Sequence, residues 1–148
     1  MTAARYFACC MVTVMLTCIE SRPAFAASCT ISSSGVKFGA YDPIDAADTR
    51  STGSIRLACD APVNANIALS GGGGSTVDRA MSNGSTRLVY NLYADPQRTT
   101  IWGDGAGGSQ TVPADGTSVD RPVYGSIMAR QRVPAGSYAD TITLTVTY

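Results

Sequence analysis

An all-β fold is predicted by three observations. Apolar and polar residues alternate with a period of two, no stretch of ten or more residues after residue 26 carries helical periodicity, and Gly, Asn, Asp and Pro turn signals recur between short segments. The alternation is clearest at 141–148, where Ile142, Leu144, Val146 and Tyr148 alternate with Thr141, Thr143, Thr145 and Thr147. β-branched residues at this density suit a pleated surface and suit a helix poorly. About seven or eight such segments in one domain predict an immunoglobulin-like β-sandwich.

Taken in order, the first strand surrounds Cys29 and Ile31, which share parity. The next is 54–59, with Ile55, Leu57 and Cys59 on one face, and then 64–69, with Ala65, Ile67 and Leu69. Asn83-Gly84 tolerates positive φ and predicts a two-residue hairpin turn joining 76–81 to 85–93, where Leu88, Tyr90 and Leu92 alternate. A strand at 123–129 follows Pro122, placed where a missing N–H does least harm. The strand at 138–148 is the strongest, and 71–74 and 103–108 read as flexible, glycine-rich connections.

Residues 1–26 read as a secretory signal peptide: Arg5 precedes an apolar run at 7–19, and Ala24-Phe25-Ala26 offers a small-residue cleavage site. The run is shorter than the roughly 20 residues a membrane span needs, so residues 27–148 are expected to form one exported domain without a span. Leu16-Thr17-Cys18 offers a lipid-attachment site as an alternative, but Thr17 stands where that signal usually has Gly, Ala or Ser. Cys9, Cys10 and Cys18 leave with the signal, and Cys29 and Cys59 remain to pair in an oxidising compartment. That bridge would join the inward faces of the first two major strands.

Composition narrows the function. Without Arg5, Arg22 and Glu20 the domain carries nine basic and ten acidic residues, no footprint for nucleic acid. Histidine is absent, Glu20 is the sole glutamate and Lys37 the sole lysine, which argues against an enzyme and predicts neither cofactor nor metal. The run from Gly103 to Gly108 satisfies G-x-G-x-x-G, but no helix follows and Asp104 would repel a phosphate, so it reads as a loop. Asp42, Asp45 and Asp48 lack the glycine and glutamate of a calcium loop. Asn83-Gly84-Ser85 fits a glycosylation pattern that its turn chemistry also explains. Trp102 reads as core, with a carbohydrate platform as the alternative.

An apolar strand with nothing after it leaves an edge that must be covered, either by another segment of the chain or by a strand from another polypeptide. The pattern leaves both open. Several pieces stand in order: Cys29, Val36-Lys37-Phe38-Gly39-Ala40-Tyr41-Asp42-Pro43, Gly53 to Cys59, Leu69-Ser70-Gly71-Gly72, Arg79-Ala80-Met81, Leu88 to Tyr93, Trp102-Gly103-Asp104, Val123-Tyr124-Gly125 and Gly136 to Tyr148. In this order and spacing they resemble the spore coat protein U domain of pilus subunits in archaic, Csu-type chaperone-usher systems.

The resemblance implies a sandwich lacking its final strand. A periplasmic chaperone fills the gap first, and a neighbouring pilus subunit's strand replaces it during export through an outer-membrane usher to a surface fimbrium, with roles in cell adhesion and biofilm. It places Ile142, Leu144, Val146 and Tyr148 on one wall of a donor-strand acceptor groove and Ile31 on the other. Cleavage after Ala26 would leave Ala27 and Ser28 ahead of Cys29, too few for the five to six residues of a typical strand. A tip or terminal subunit is therefore expected. The alternative is a self-contained secreted module that binds carbohydrate or a surface through Trp102 and residues 71–74.

Overall fold

The computed structural model describes residues 27–148; the proposed signal peptide, with its lipid-site alternative, lies outside the described residues. Among them there are eight strands and no helix: β1 (Cys29–Ser33), β2 (Thr49–Val63), β3 (Asn66–Leu69), β4 (Arg79–Asn83), β5 (Thr86–Tyr93), β6 (Val112–Pro113), β7 (Gly116–Ile127) and β8 (Leu144–Thr147). Five form one sheet in the order β1-β2-β7-β5-β4, and three form a second in the order β6-β3-β8. Every pairing between named strands is antiparallel. The architecture is the all-β, immunoglobulin-like arrangement the sequence predicts.

The core follows from parity. Ile55 and Leu57 of β2, Val119, Val123 and Ile127 of β7, and Leu88, Tyr90 and Leu92 of β5 turn inward and are buried, as are Ile67 and Leu69 of β3 in the facing sheet. Burying each such side chain contributes roughly 1.5–3 kcal/mol. Cys29 lies directly across from Cys59 in the β1–β2 register, and the two are bonded. Trp102 is fully buried and its Nε1 donates to the Ile67 carbonyl (2.9 Å), so it is a core residue and offers no platform to a sugar.

The hairpin's first strand, expected over 76–81, lies at Arg79–Asn83, and four other features differ from the sequence reading. The hairpin turn is Gly84-Ser85, not Asn83-Gly84, because Asn83 pairs with Thr86. Gly84 has a φ of 58° and Ser85 is not in the positive-φ region, the pattern of a II′ turn, which needs glycine first. Strand β2 begins at Thr49, since its small polar residues there meet backbone: the Ser51 hydroxyl donates to the Lys37 carbonyl. Strand β7 begins at Gly116 and carries Pro122 inside it. Pro122 is opposite Ser54, whose own N–H and C=O turn toward Ser34, so the proline nitrogen points away from β2 on a stretch where β5 has not yet joined.

The fourth difference is the last strand, which is ladder-paired only over Leu144–Thr147. Its partner β3 ends at Leu69, and the chain ahead of β8 crosses instead to the other sheet. Ser82 N donates to Ala139 O (2.9 Å) and Ala139 N to Ser82 O (3.2 Å).

The glycine-rich runs are packed turns. A Cβ at Gly72 would collide with the Asp140 carboxylate. Asp104 closes the 103–108 loop by accepting from Ala106 N (3.0 Å) and the Ser109 hydroxyl (3.2 Å), which holds its carboxyl below the usual range. Asp42 accepts from Ile44 N, and Asp48 from Ala129 N and the Ser126 hydroxyl. Among the described residues no group of three metal-ligating side chains is close enough to hold an ion.

One charge is buried in this frame. Arg79 of β4 is fully inaccessible, and its guanidinium makes five hydrogen bonds: Nε to Ser70 O (2.9 Å), Nη1 to Thr76 O (2.9 Å) and Asn91 Oδ1 (2.6 Å), Nη2 to Leu69 O (3.3 Å) and Trp102 O (2.8 Å). Guanidinium carries five N–H donors, so every one is satisfied. Burial lowers its pKa, while Tyr90, Asp140 and Asp104 favour the charge.

Candidate functional site

The two sheets do not cover each other completely. Strand β8 lies at an edge of the three-stranded sheet with β3 on one side, and among the described residues no backbone partner runs along its other side. Ser70 N donates to Thr143 O (2.9 Å), so Thr143, Thr145 and Thr147 direct their backbone groups at β3. Alternation then turns the N–H and C=O of Leu144 and Val146 toward the uncovered side. Ile142, Leu144 and Val146 pack against the core but are only partly buried.

Facing that edge is the irregular segment 34–41, which follows β1. It lies over the inward side of β2 and β7 where those strands carry glycine. A Cβ at Gly125 would come within 2.6 Å of the Phe38 ring and 2.7 Å of Val36, and one at Gly53 would collide with the Gly35 carbonyl. Glycine at these two positions lets the segment sit directly on the sheet. Phe38 meets Tyr90 edge-on, with ring centroids 5.8 Å apart.

Between this wall and the segment leading into β8 lies a cleft of about 930 Å³. Val36, Phe38 and Tyr41 form one wall, Val133, Tyr138, Ile142 and Leu144 the other, and core residues such as Met81, Leu88 and Ile127 the floor. The β8 wall is tied down by polar bonds. Asp140 accepts from Tyr90 Oη (2.8 Å), Gly73 N (2.9 Å) and Thr141 N (2.8 Å), and Ser70 Oγ accepts from Thr143 N (2.9 Å). Burial pushes the Tyr90 hydroxyl up, and the bond to Asp140 and that group's charge push it further.

Of the residues expected at an acceptor groove, Ile142 and Leu144 line this cleft. Val146 is one step further along the same face, outside the lining. Ile31 is opposite Leu57 in the register and so faces inward, yet it is 43% exposed because no described residue covers it there. Tyr148 is 59% exposed and also lies outside the lining. Sequence reasoning had no role for Val36, Phe38 and Tyr41; the available signal was the alternation of Val36, Phe38 and Ala40 after Gly35, with Tyr41 out of phase.

Together these features define a disulfide-bonded β-sandwich domain with an apolar cleft beside an unpaired strand edge. The chain belongs to the spore coat protein U domain family, whose profile matches residues 15–145. It is 34% identical over 127 residues to Protein U of Myxococcus xanthus, covering 76% of this chain and 71% of that protein. Its fold is similar to that of a chain in the crystal structure of the CsuC-CsuE chaperone-tip adhesion subunit pre-assembly complex from archaic chaperone-usher Csu pili of Acinetobacter baumannii. There the TM-score is 0.56 and the identity 22%, over 83% of this chain. This chain spans 40% of the length of the chain it matches in that complex.

Proposed function

We infer that this protein is a structural or adhesive subunit of a bacterial surface pilus, assembled through the chaperone-usher pathway by donor-strand complementation. The observation that carries this reading is the free edge of β8, whose Leu144 and Val146 backbone groups have no partner among the described residues, beside a cleft floored by the core. A donated strand would satisfy those groups and place alternate side chains over the floor. In this reading Ile31, Ile142, Leu144, Val146 and Tyr148 contact the occupant, with Val36 and Phe38 added to the wall that faces β8.

The partners are a periplasmic chaperone, then a neighbouring subunit, with export through an outer-membrane usher to the cell surface. A place at the fibre tip follows from cleavage after Ala26, which intact mass of the exported protein tests. A binding and assembly role, not catalysis, agrees with the family and with a chain that has no histidine. The carbohydrate-module alternative loses its platform, because Trp102 is buried.

The test is co-purification with the cognate chaperone. Leu144→Asp or Val146→Asp places an unpaired carboxylate where the occupant must pack and is expected to abolish capture. Undiminished co-purification of both variants would remove the groove assignment.

A further inference from the structure

The two ends of the cleft are built differently. At one end Tyr41, on the 34–41 wall, places its hydroxyl between two backbone groups of the chain that follows β7: it accepts from Gln131 N (2.7 Å) and donates to Met128 O (3.1 Å). The Gln131 side chain is held in turn. Its Oε1 accepts from Val89 N (2.7 Å), and its Nε2 donates to Val89 O (2.7 Å) and Met128 O (2.9 Å). β5 and β7 pair from Tyr90 opposite Ile127, so the next place in that ladder, beside Val89, is taken by a side-chain amide acting as a strand.

Both walls are thus joined to one corner. Tyr41 ends the first wall, Gln131 stands two residues before Val133 of the second, and β5 anchors Gln131. At the other end, among the described residues, no hydrogen bond joins β1 or its following turn to β8, and the inward-facing Ile31 is uncovered. The ends are far apart. Ile31 is level with Leu57 and Val119, while Tyr41 is bonded to Met128, about nine extended residues or about 30 Å further along β7.

Resting on the acceptor-groove reading, we propose that Tyr41 and Gln131 form a clasp that makes the cleft a blind slot, so that an incoming strand enters at the Ile31 and Val146 end and stops at Tyr41. Neither residue contributes to the apolar floor; both are positioning residues that hold the walls at the spacing of one strand. Loss of the clasp lets the walls part, and a bound strand then leaves faster although the sandwich itself persists.

The test uses the refolded, oxidised chain and fluorescein-labelled peptides of alternating valine and threonine, of about six and about twelve residues, one shorter and one longer than the slot. Tyr41→Phe removes only the hydroxyl. It is expected to speed peptide dissociation about fivefold to tenfold, the lower end of the effect of losing the hydroxyl's two hydrogen bonds, while the thermal midpoint read from Trp102 fluorescence stays within a few degrees. Dissociation within about twofold of the unsubstituted chain overturns the clasp.

Leu144→Asp separates the two ideas. Peptide capture that survives this change overturns the groove reading and the clasp with it, whereas capture lost in Leu144→Asp but unaltered in Tyr41→Phe overturns the clasp alone. A measurement on the unsubstituted chain needs no variant to fold. With the longer peptide bound, amide exchange is expected to slow along β8 and to stay unchanged at Ile44 and Arg132, beyond the clasp. Slowed exchange at Ile44 and Arg132 would show the strand running through the corner and would overturn the blind end.

Discussion

Replacing Arg79 with methionine tests whether a buried charge organises this sandwich. The guanidinium binds Ser70, Leu69, Thr76 and Trp102 through their carbonyls and Asn91 through its side chain, so one residue joins the end of β3, the glycine-rich turn, β5 and the Trp102 loop. Methionine fills much of the same space and donates nothing. Five hydrogen bonds are lost: the four carbonyls are left without the guanidinium, each at about 1–3 kcal/mol when buried and unsatisfied, while Asn91 Oδ1 keeps the Leu92 N–H (2.8 Å). Removing the cation relieves its own desolvation, which offsets part of that sum, and broken buried networks of this kind typically cost about 3–5 kcal/mol.

Against a typical net stability of about 5–15 kcal/mol this is a large fraction. With a urea slope of about 1.5 kcal/mol/M, the midpoint should fall by roughly 2–3 M. Trp102 is the single tryptophan and is fully buried, so its fluorescence in a urea titration of the oxidised chain reports the transition. Arg79→Lys offers at most three donors and should lie between. Because Ser70 holds both Arg79 and Thr143, the methionine variant should also loosen β8 before global unfolding, seen as faster amide exchange at Thr145. A midpoint shift below about 0.3 M for Arg79→Met, roughly 0.5 kcal/mol on that slope, would refute the reasoning.

Three further outcomes are expected. Reducing the Cys29–Cys59 bridge, which closes a 30-residue separation, should lower stability by about 3.6 kcal/mol on the loop-entropy estimate, read as the urea midpoint with and without reductant; an unchanged midpoint would contradict it. Gly125→Ala forces Phe38 and Val36 off the sheet and should cost about 1–3 kcal/mol while weakening strand-peptide binding, measured by titration on the same sample. Tyr90 binds its proton more tightly folded than unfolded, chiefly through burial, so the stability it contributes is complete below about pH 10 and is lost as pH rises above that value. Urea midpoints between about pH 9 and 12 should therefore fall less steeply in Tyr90→Phe, and identical slopes would exclude this role.

The parts of the structure legible in the sequence were those whose cause is local. Ile55, Leu57, Ile67, Leu88 and Leu92 announce their faces by alternating with polar neighbours, because a strand buried on one side needs that period. The Cys29–Cys59 pair followed from being the cysteines left outside the signal. The wall at 34–41 was harder to read, since it is not a strand and it sits against glycine, so its contacts are recorded as missing side chains at 53 and 125. Arg79 stands out in the sequence only as part of a family motif: hydropathy puts an arginine outside, and the carbonyls that accept its bonds come from separated segments whose convergence no periodicity encodes. The alternation at 138–148 correctly marked an apolar face but overstated the paired length, because pairing needs a partner and β3 ends at Leu69.

The free edge of β8 is the feature on which the functional account turns, and amide hydrogen exchange at Leu144 and Val146 measures it directly. In the isolated oxidised chain these two amides should exchange much faster than those of Thr145 and Thr147, which face β3, and binding of the cognate chaperone should slow them selectively. Leu144 and Val146 amides already protected in the isolated chain, and unaltered by the chaperone, would contradict the account.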